Sequence, residues 1–175
     1  MNRIIEEIKT NLEIGNFLSA LALALILPDI CGKISYPNIK HGGKRYQKWY
    51  NEYIYPYERS PIEEDPHNEW VPDGYAIYKL RCNLFHDGSL NIDRDIKDNK
   101  EIEESDNYNF IITDSLNSNN LVWKDKDKTK TPDVLIRVSV KDLCTKICAV
   151  VENVYLENYS NKEVGIENDI VIFDF

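Results

Sequence analysis

The sequence predicts a mainly helical domain of the α+β class, with about four helices and a small antiparallel β-sheet in its C-terminal half. Two observations support this class. Over most of residues 2–90, apolar side chains recur three and four positions apart, which is the spacing of helix faces that pack on a core. Further along, residues 107–114 and 134–140 are rich in the β-branched and aromatic types that favour strands.

This fold is expected to form a single domain, because a chain of 175 residues is long enough to bury one sizeable core. We place the helical core at about residues 2–90 and 139–160. Ser139, with an acid three residues on, is expected to cap the last helix. A β-rich elaboration is placed at about residues 105–138 and 168–175, and the second of these segments is predicted to be a short strand.

The first helix is predicted over Asn2–Leu27. Its first half is amphipathic, with one apolar stripe formed by Ile4, Ile5, Ile8 and Leu12. Its second half, Phe17–Leu27, is apolar on nearly all sides, which predicts a place in the centre of the core. Pro28 is expected to begin a short continuing helix that Gly32 closes.

The second and third helices are predicted over residues 44–57 and 75–88, on either side of a proline-rich loop. Aromatic residues in the second helix recur at helical spacing, which favours a core or a dimer interface over a base-stacking surface. The third helix begins after Asp73, an acceptable N-cap. We expect its core face to carry Tyr75, Tyr78, Cys82 and Phe85.

The net charge of −9 argues against non-specific binding of nucleic acid if the charge is spread evenly. The distribution is uneven. Residues 30–51 contain no acid but several basic side chains, namely Lys33, Lys40, Lys44, Arg45 and Lys48, with His41 beside them. Such a segment can give an acidic protein a local basic face, and ordinary scatter of surface charge is the alternative.

The apolar and cysteine-bearing segments predict the location of the protein and its need for cofactors. Phe17–Leu27 is shorter than the roughly 20 residues needed to cross a bilayer and follows an acidic segment, so we expect a soluble, cytoplasmic protein. The four cysteines lie in apolar segments, which is typical of buried thiols in a reducing cytosol. Cys144 and Cys148 would share a helix face, but no His lies nearby to complete a metal site. Because no phosphate-binding loop is present either, we expect neither metal nor cofactor.

The stretch with the clearest chemistry is RCNLFH, residues 81–86, in the third helix. The planar guanidinium of Arg81 suits a phosphate, and the imidazole of His86 can move a proton near neutral pH. Together they suffice for metal-free attack of a ribose 2′-hydroxyl on the neighbouring phosphorus. Residues five apart on a helix project about 140° apart. The pair therefore converges either when Arg81 wraps toward His86 or when two copies of the helix pack in a twofold dimer.

RCNLFH resembles the Arg-x4-6-His signature of the HEPN superfamily, helical domains that often act as ribonucleases in toxin and antiviral systems. The resemblance covers about residues 2–90 and implies a HEPN-like helical bundle, a homodimer whose motifs meet in one cleft, and RNA cleavage without metal. Two positions depart from the pattern. Cys82 stands where many members carry a polar residue, and Gly88 stands where one toxin subgroup carries a tyrosine. The predicted sheet would be an elaboration of the minimal core.

We therefore expect a metal-independent endoribonuclease that serves in a stress response or in defence against phage. Arg81 would clamp the phosphate, His86 would be the general acid or base, and Asn83 would orient them. Nearby basic side chains are candidates for contacts with the RNA backbone: Lys44, Arg45, Lys48 and Lys79.

Two alternatives remain at this point. One is a non-catalytic HEPN-like module that binds a nucleotide or a regulatory protein partner, which the net charge of −9 favours. The other is a fold that serves only dimerisation, in which His86 offsets the helix dipole and Arg81 pairs with an acid such as Asp87.

Overall fold

The computed structural model describes residues 1–58, 71–86, 91–92, 107–114, 121–124 and 133–155. The helices are α1 (Asn2–Glu13), α2 (Phe17–Ser35), α3 (Gly42–Tyr53), α4 (Tyr55–Glu58), α5 (Gly74–His86) and α6 (Val140–Val150), which continues as a π-helical turn over Val151–Tyr155. The strands are β1 (Asn91–Ile92), β2 (Asn107–Thr113), β3 (Leu121–Lys124) and β4 (Asp133–Ser139). The prediction of a mainly helical domain with a small sheet is confirmed.

The predicted first helix is divided in two by a turn at Gly15, which has a φ of 80°. That left-handed conformation is accessible to glycine at little cost and interrupts the helix. The second part, α2, then runs through Pro28 to Ser35. It therefore continues past Gly32, where the helix was expected to end. A Cβ on Gly32 would lie 2.9 Å from the carbonyl oxygen of Arg45, so this glycine allows close contact between α2 and α3.

Helix α5 begins as predicted, because Oδ1 of Asp73 accepts a hydrogen bond of 2.9 Å from the backbone N–H of Ala76. The prediction of which residues of α5 face the core is wrong. The buried residues of α5 are Gly74, Ala76, Ile77, Leu80 and Asn83. The expected stripe of Tyr75, Tyr78 and Cys82 is only half-buried, and Phe85 is 44% exposed. The small residues at the start of α5 turn the other face inward, because they allow the helix backbone to approach α3.

The sheet has the strand order β1-β2-β4-β3. It is mixed, whereas the sequence predicts an antiparallel sheet. Strands β2 and β4 are parallel over their full length, while β1 and β3 add antiparallel edges. Strand β3 pairs with one edge of β4, which leaves the other edge of β4 to β2. The strand expected at residues 168–175 lies outside the described residues.

One core joins the helices to the sheet. Its largest fully buried side chains are Trp49, Tyr46 and Tyr50 of α3, so the aromatic helix belongs to the core, one of the two places expected for it. Phe110, Ile136 and Val138 contribute from the sheet. Ser139 caps α6 as predicted, since its Oγ accepts a hydrogen bond of 3.3 Å from the N–H of Asp142.

Helix α2 is long and apolar enough to cross a membrane by length and composition, a property that core helices and signal sequences share. Within the fold, α2 contacts α1, α3, α5 and α6.

Candidate functional site

Helix α5 carries the predicted motif, and two glycine contacts set its position on α3. A Cβ on Gly43, near the start of α3, would lie 2.7 Å from Cζ of Tyr78 in the middle of α5. A Cβ on Gly74, at the start of α5, would lie 2.5 Å from the carbonyl oxygen of Gln47, further along α3. The two helices therefore run antiparallel, and the last turns of α5 extend past the start of α3.

At that end of α5, Arg81 forms an ion pair with Asp29 of α2. Its Nε and Nη2 lie 3.0 and 2.9 Å from Oδ2 of the carboxylate. The two side chains are 26% and 30% exposed, so the pair is half-buried and reachable from solvent. The guanidinium carbon also lies 5.5 Å from the centroid of the Phe85 ring, a cation–π distance.

The carboxylate of Asp29 lies in a partly buried position, where its ionised form is disfavoured. Burial raises the pKa of its carboxyl, and the positive charges of Arg81 and Arg45 oppose that rise without cancelling it. A half-buried ion pair of this kind adds little to stability, because taking the charges out of water costs about as much as their attraction returns.

Two tyrosines lie beneath this ion pair. Tyr46 is fully buried, and the centroid of its ring lies 5.3 Å from that of the Tyr78 ring. Burial raises the pKa of Tyr46 well above the ordinary value. Burial, with a hydrogen bond to Cys82, raises the pKa of Tyr78 to about 12. Both phenols therefore stay protonated near neutral pH, and neither serves as a general base there.

Donors on α3 and α5 that are buried without a hydrogen-bond partner in the described part of the chain include Nε of Arg45, the hydroxyl of Tyr46 and Nδ2 of Asn83. Arg45 is anchored elsewhere, since its Nη1 donates to the carbonyl of Ile39 at 2.8 Å. Folded proteins rarely leave buried donors unpaired, so each such group calls for a specific explanation, such as a role at a functional site.

The predicted site residues whose side chains the structure describes, Arg81 and Asn83, fall in different environments. Arg81 is half-buried and paired, whereas Asn83 is only 5% exposed and lies on the core side of α5. His86 is the last residue of α5, and its side chain lies outside the described part. The structure thus brings Arg81 to the surface and keeps Asn83 beneath it.

The predicted RNA-contacting side chains also differ in their surroundings. Four lysines at the end of α2, in the following loop and on α3 are exposed; we call Lys33, Lys40, Lys44 and Lys48 the basic band. Within it, Lys48 places its Nζ 4.4 Å above the Tyr36 ring. Arg45 is half-buried, and Lys79 lies 5.4 Å above the Tyr75 ring on α5. His41 caps α3 by accepting from the N–H of Lys44 at 3.4 Å.

Asp29 is the residue that sequence reasoning missed. It is the one charged side chain between Glu13 and Lys33, within an apolar helix. An acid in such a helix needs a partner to offset its burial, and this was the available signal.

The cysteines do not form a metal centre in the described part of the chain, where no three His, Cys, Asp or Glu side chains come together as ligands. Cys144 and Cys148 are buried. Burial raises the pKa of both thiols, and that of Cys148 reaches about 11, so both stay protonated as packing residues.

No family model, characterised protein or solved structure matches this chain. Function has to be argued from the residues themselves.

Proposed function

We propose that the protein is a metal-independent endoribonuclease of HEPN type that acts as a homodimer. The observation that supports this best is the ion pair of Arg81 with Asp29, which presents a guanidinium at the solvent-reachable end of the helix that terminates at His86. The basic band begins one helical turn beyond Asp29, at Lys33.

The proposed reaction needs only these side chains. The imidazole of His86 takes the proton of a ribose 2′-hydroxyl, and the oxygen attacks the adjacent phosphorus. Negative charge grows on the phosphoryl oxygens, where the guanidinium of Arg81 stabilises it. The bond to the 5′-oxygen breaks as an imidazolium returns a proton to that oxygen. The products are a 2′,3′-cyclic phosphate and a 5′-hydroxyl.

The direction of Arg81 supports a dimer. Positions 81 and 86 project about 140° apart on a helix, and Asp29 holds Arg81 toward α2. Wrapping Arg81 toward His86 of the same chain would require this ion pair to break. Twofold packing of two α5 helices instead brings Arg81 of one subunit to the imidazole of the other. The outer face of α5, ending at the exposed Phe85, offers apolar surface for that contact.

RNA binding by a protein of net charge −9 requires a local concentration of positive charge. The basic band supplies it, since its lysines are exposed and residues 30–51 contain no acid. Lys44 and Lys48 lie four apart on one face of α3 and can follow a phosphate backbone.

The ion pair also favours a second candidate, a non-catalytic module that binds a nucleotide or a protein partner. Asp29 offsets part of the charge with which Arg81 would stabilise a transition state. A module of that kind would bind without cleaving.

One experiment separates the two candidates. Purified protein is incubated with RNA in excess chelator, and the cleavage rate and product ends are measured for the parent, Arg81→Ala and His86→Ala. A ribonuclease of this type leaves cyclic phosphates, and both variants lose at least about 100-fold in rate. Glu152→Gln serves as the control, because it breaks a 2.7 Å ion pair with Lys9 on other elements.

Parental activity in His86→Ala would contradict the proposal. A parent that does not cleave but melts at a higher temperature with a nucleotide would support the binding module.

A further inference from the structure

We propose that Asp29 is a positioning residue, which holds one edge of the Arg81 guanidinium so that the rest of the group faces a bound phosphodiester. This inference rests on the proposed ribonuclease function and deepens it, because it assigns a role to a residue outside the Arg81–His86 motif. Asp29 itself would touch neither the RNA nor the reacting atoms.

A guanidinium has five N–H donors arranged in a planar fork. Oδ2 of Asp29 engages the edge formed by Nε and Nη2, at 3.0 and 2.9 Å. Two contacts aim this edge of the fork at the carboxylate, whereas a single contact would let the fork pivot about one nitrogen.

Helix α5 does not need this ion pair to dock. Its attachment to the core is supplied by the buried Ile77 and Leu80, and by the hydrogen bond of 2.7 Å from the N–H of Gly74 to Oδ1 of Asn51. The ion pair lies toward the other end of the helix, on a half-exposed side chain. Its removal changes where Arg81 points without removing the core contacts of α5.

A half-buried ion pair contributes little to stability, so a structural role alone does not account for placing an acid within the apolar helix α2. Arg45 adds a second positive charge near Asp29, which favours the ionised form that Arg81 requires.

A competing role for Asp29 predicts the opposite sign. If the carboxylate only blocked Arg81 until RNA displaced it, removing its charge would raise the cleavage rate. Positioning predicts a lower rate, because a displaced catalytic group loses its alignment with the reacting atoms.

The first arm of the test measures kcat and KM for RNA cleavage by Asp29→Asn, Asp29→Glu and Asp29→Ala. We expect kcat to fall by about 10- to 100-fold in Asp29→Ala, less in Asp29→Asn, and least in Asp29→Glu, with smaller changes in KM. In an Arg81→Lys background, Asp29→Asn should add little further loss, since the two residues act as a unit. Glu152→Gln keeps the parental kcat. An Asp29→Asn protein that cleaves as fast as the parent, or faster, overturns the proposal.

The second arm does not depend on activity. In a ¹⁵N spectrum, the Nε–H signal of Arg81 is assigned by its absence in Arg81→Lys. We expect Asp29→Asn to shift this signal and speed its exchange with water, while Glu152→Gln leaves it unchanged.

An unchanged Arg81 signal in Asp29→Asn overturns the positioning contact even if the parent cleaves RNA. A shifted signal in a protein that never cleaves RNA supports the contact and overturns the ribonuclease proposal. The failure of one is thus distinguishable from the failure of the other.

Discussion

The backbone N–H of Gly74 donates a hydrogen bond of 2.7 Å to Oδ1 of Asn51, which fixes the start of α5 against α3. The approach is so close that a Cβ at position 74 would lie 2.5 Å from the carbonyl oxygen of Gln47. Because α5 carries Arg81 and ends at His86, this contact sets the position of the candidate site.

Gly74→Ala is expected to destabilise the fold by roughly 1–3 kcal/mol, because the new methyl group meets backbone atoms that cannot rotate away. The free energy of unfolding in urea measures this. The control is Gly42→Ala at the start of α3, where a Cβ would make only an ordinary contact of 3.8 Å with Arg45. That variant should be as stable as the parent or slightly more stable. Equal effects at the two positions would show that close packing at Gly74 is unimportant.

Stability should decline above about pH 10, because Tyr46 and Tyr50 are fully buried and burial raises the pKa of both well above 10.0. A group whose pKa is raised in the folded state contributes its full stabilisation at pH values below its pKa in the unfolded state. That stabilisation is lost as the pH rises above the unfolded-state pKa and through the folded-state pKa. Tyr46→Phe should reduce the alkaline loss.

The same variant removes a buried hydroxyl that has no partner in the described part of the chain, so at pH 7 it should be as stable as the parent or more stable by up to about 1 kcal/mol. Urea unfolding between pH 7 and 11 tests both expectations, with exposed Tyr57→Phe as the control. A steeper alkaline decline in Tyr46→Phe would contradict this account.

The basic band should govern the salt dependence of RNA binding. Replacing Lys44 and Lys48 by Glu is expected to weaken binding and to reduce the slope of log K against log salt by about 0.7 for each RNA phosphate that the protein no longer neutralises. Fluorescence anisotropy at several salt concentrations measures the slope. Lys141→Glu makes half of this charge change on α6, beside Phe17, and should leave the slope nearly unchanged. A slope reduced by half as much in Lys141→Glu would mean that only net charge matters.

The helices could be predicted well where local chemistry marks their ends. Asp73 and Ser139 cap α5 and α6 through hydrogen bonds to the N–H groups of Ala76 and Asp142, and this pattern is local in sequence. Gly15 and Gly32 were harder to interpret. Gly15 interrupts the helix with a positive φ, whereas Gly32 lies inside a helix and allows the backbone of α3 to come close. A glycine in an apolar run is compatible with either outcome.

The core face of α5 could not be chosen from spacing alone. The stripes containing Tyr78 and Leu80 both recur at three and four positions, and the contact of Gly74 with α3 selects the second. The direction of the β2–β4 pairing was likewise hidden, because residue type and spacing within a strand do not report which strands pair or in which direction.

The motif at Arg81 was found from sequence, but its partner was not. The dimerisation alternative pairs Arg81 with an acid such as Asp87, whereas the ion pair is made with Asp29, 52 positions earlier. Only the packing of α5 on α2 brings the two side chains together, and residue spacing does not report that contact.

Mixing of subunits tests most directly whether Arg81 and His86 act together across a twofold axis. Arg81→Ala and His86→Ala proteins are each assayed for RNA cleavage in chelator, then unfolded together, refolded and assayed again. We predict that neither cleaves alone and that the mixture does, because a mixed dimer retains one Arg81 and one His86 facing each other from different chains. A mixture as inactive as its components, with mixed dimers shown to be present by mass spectrometry, would contradict the account.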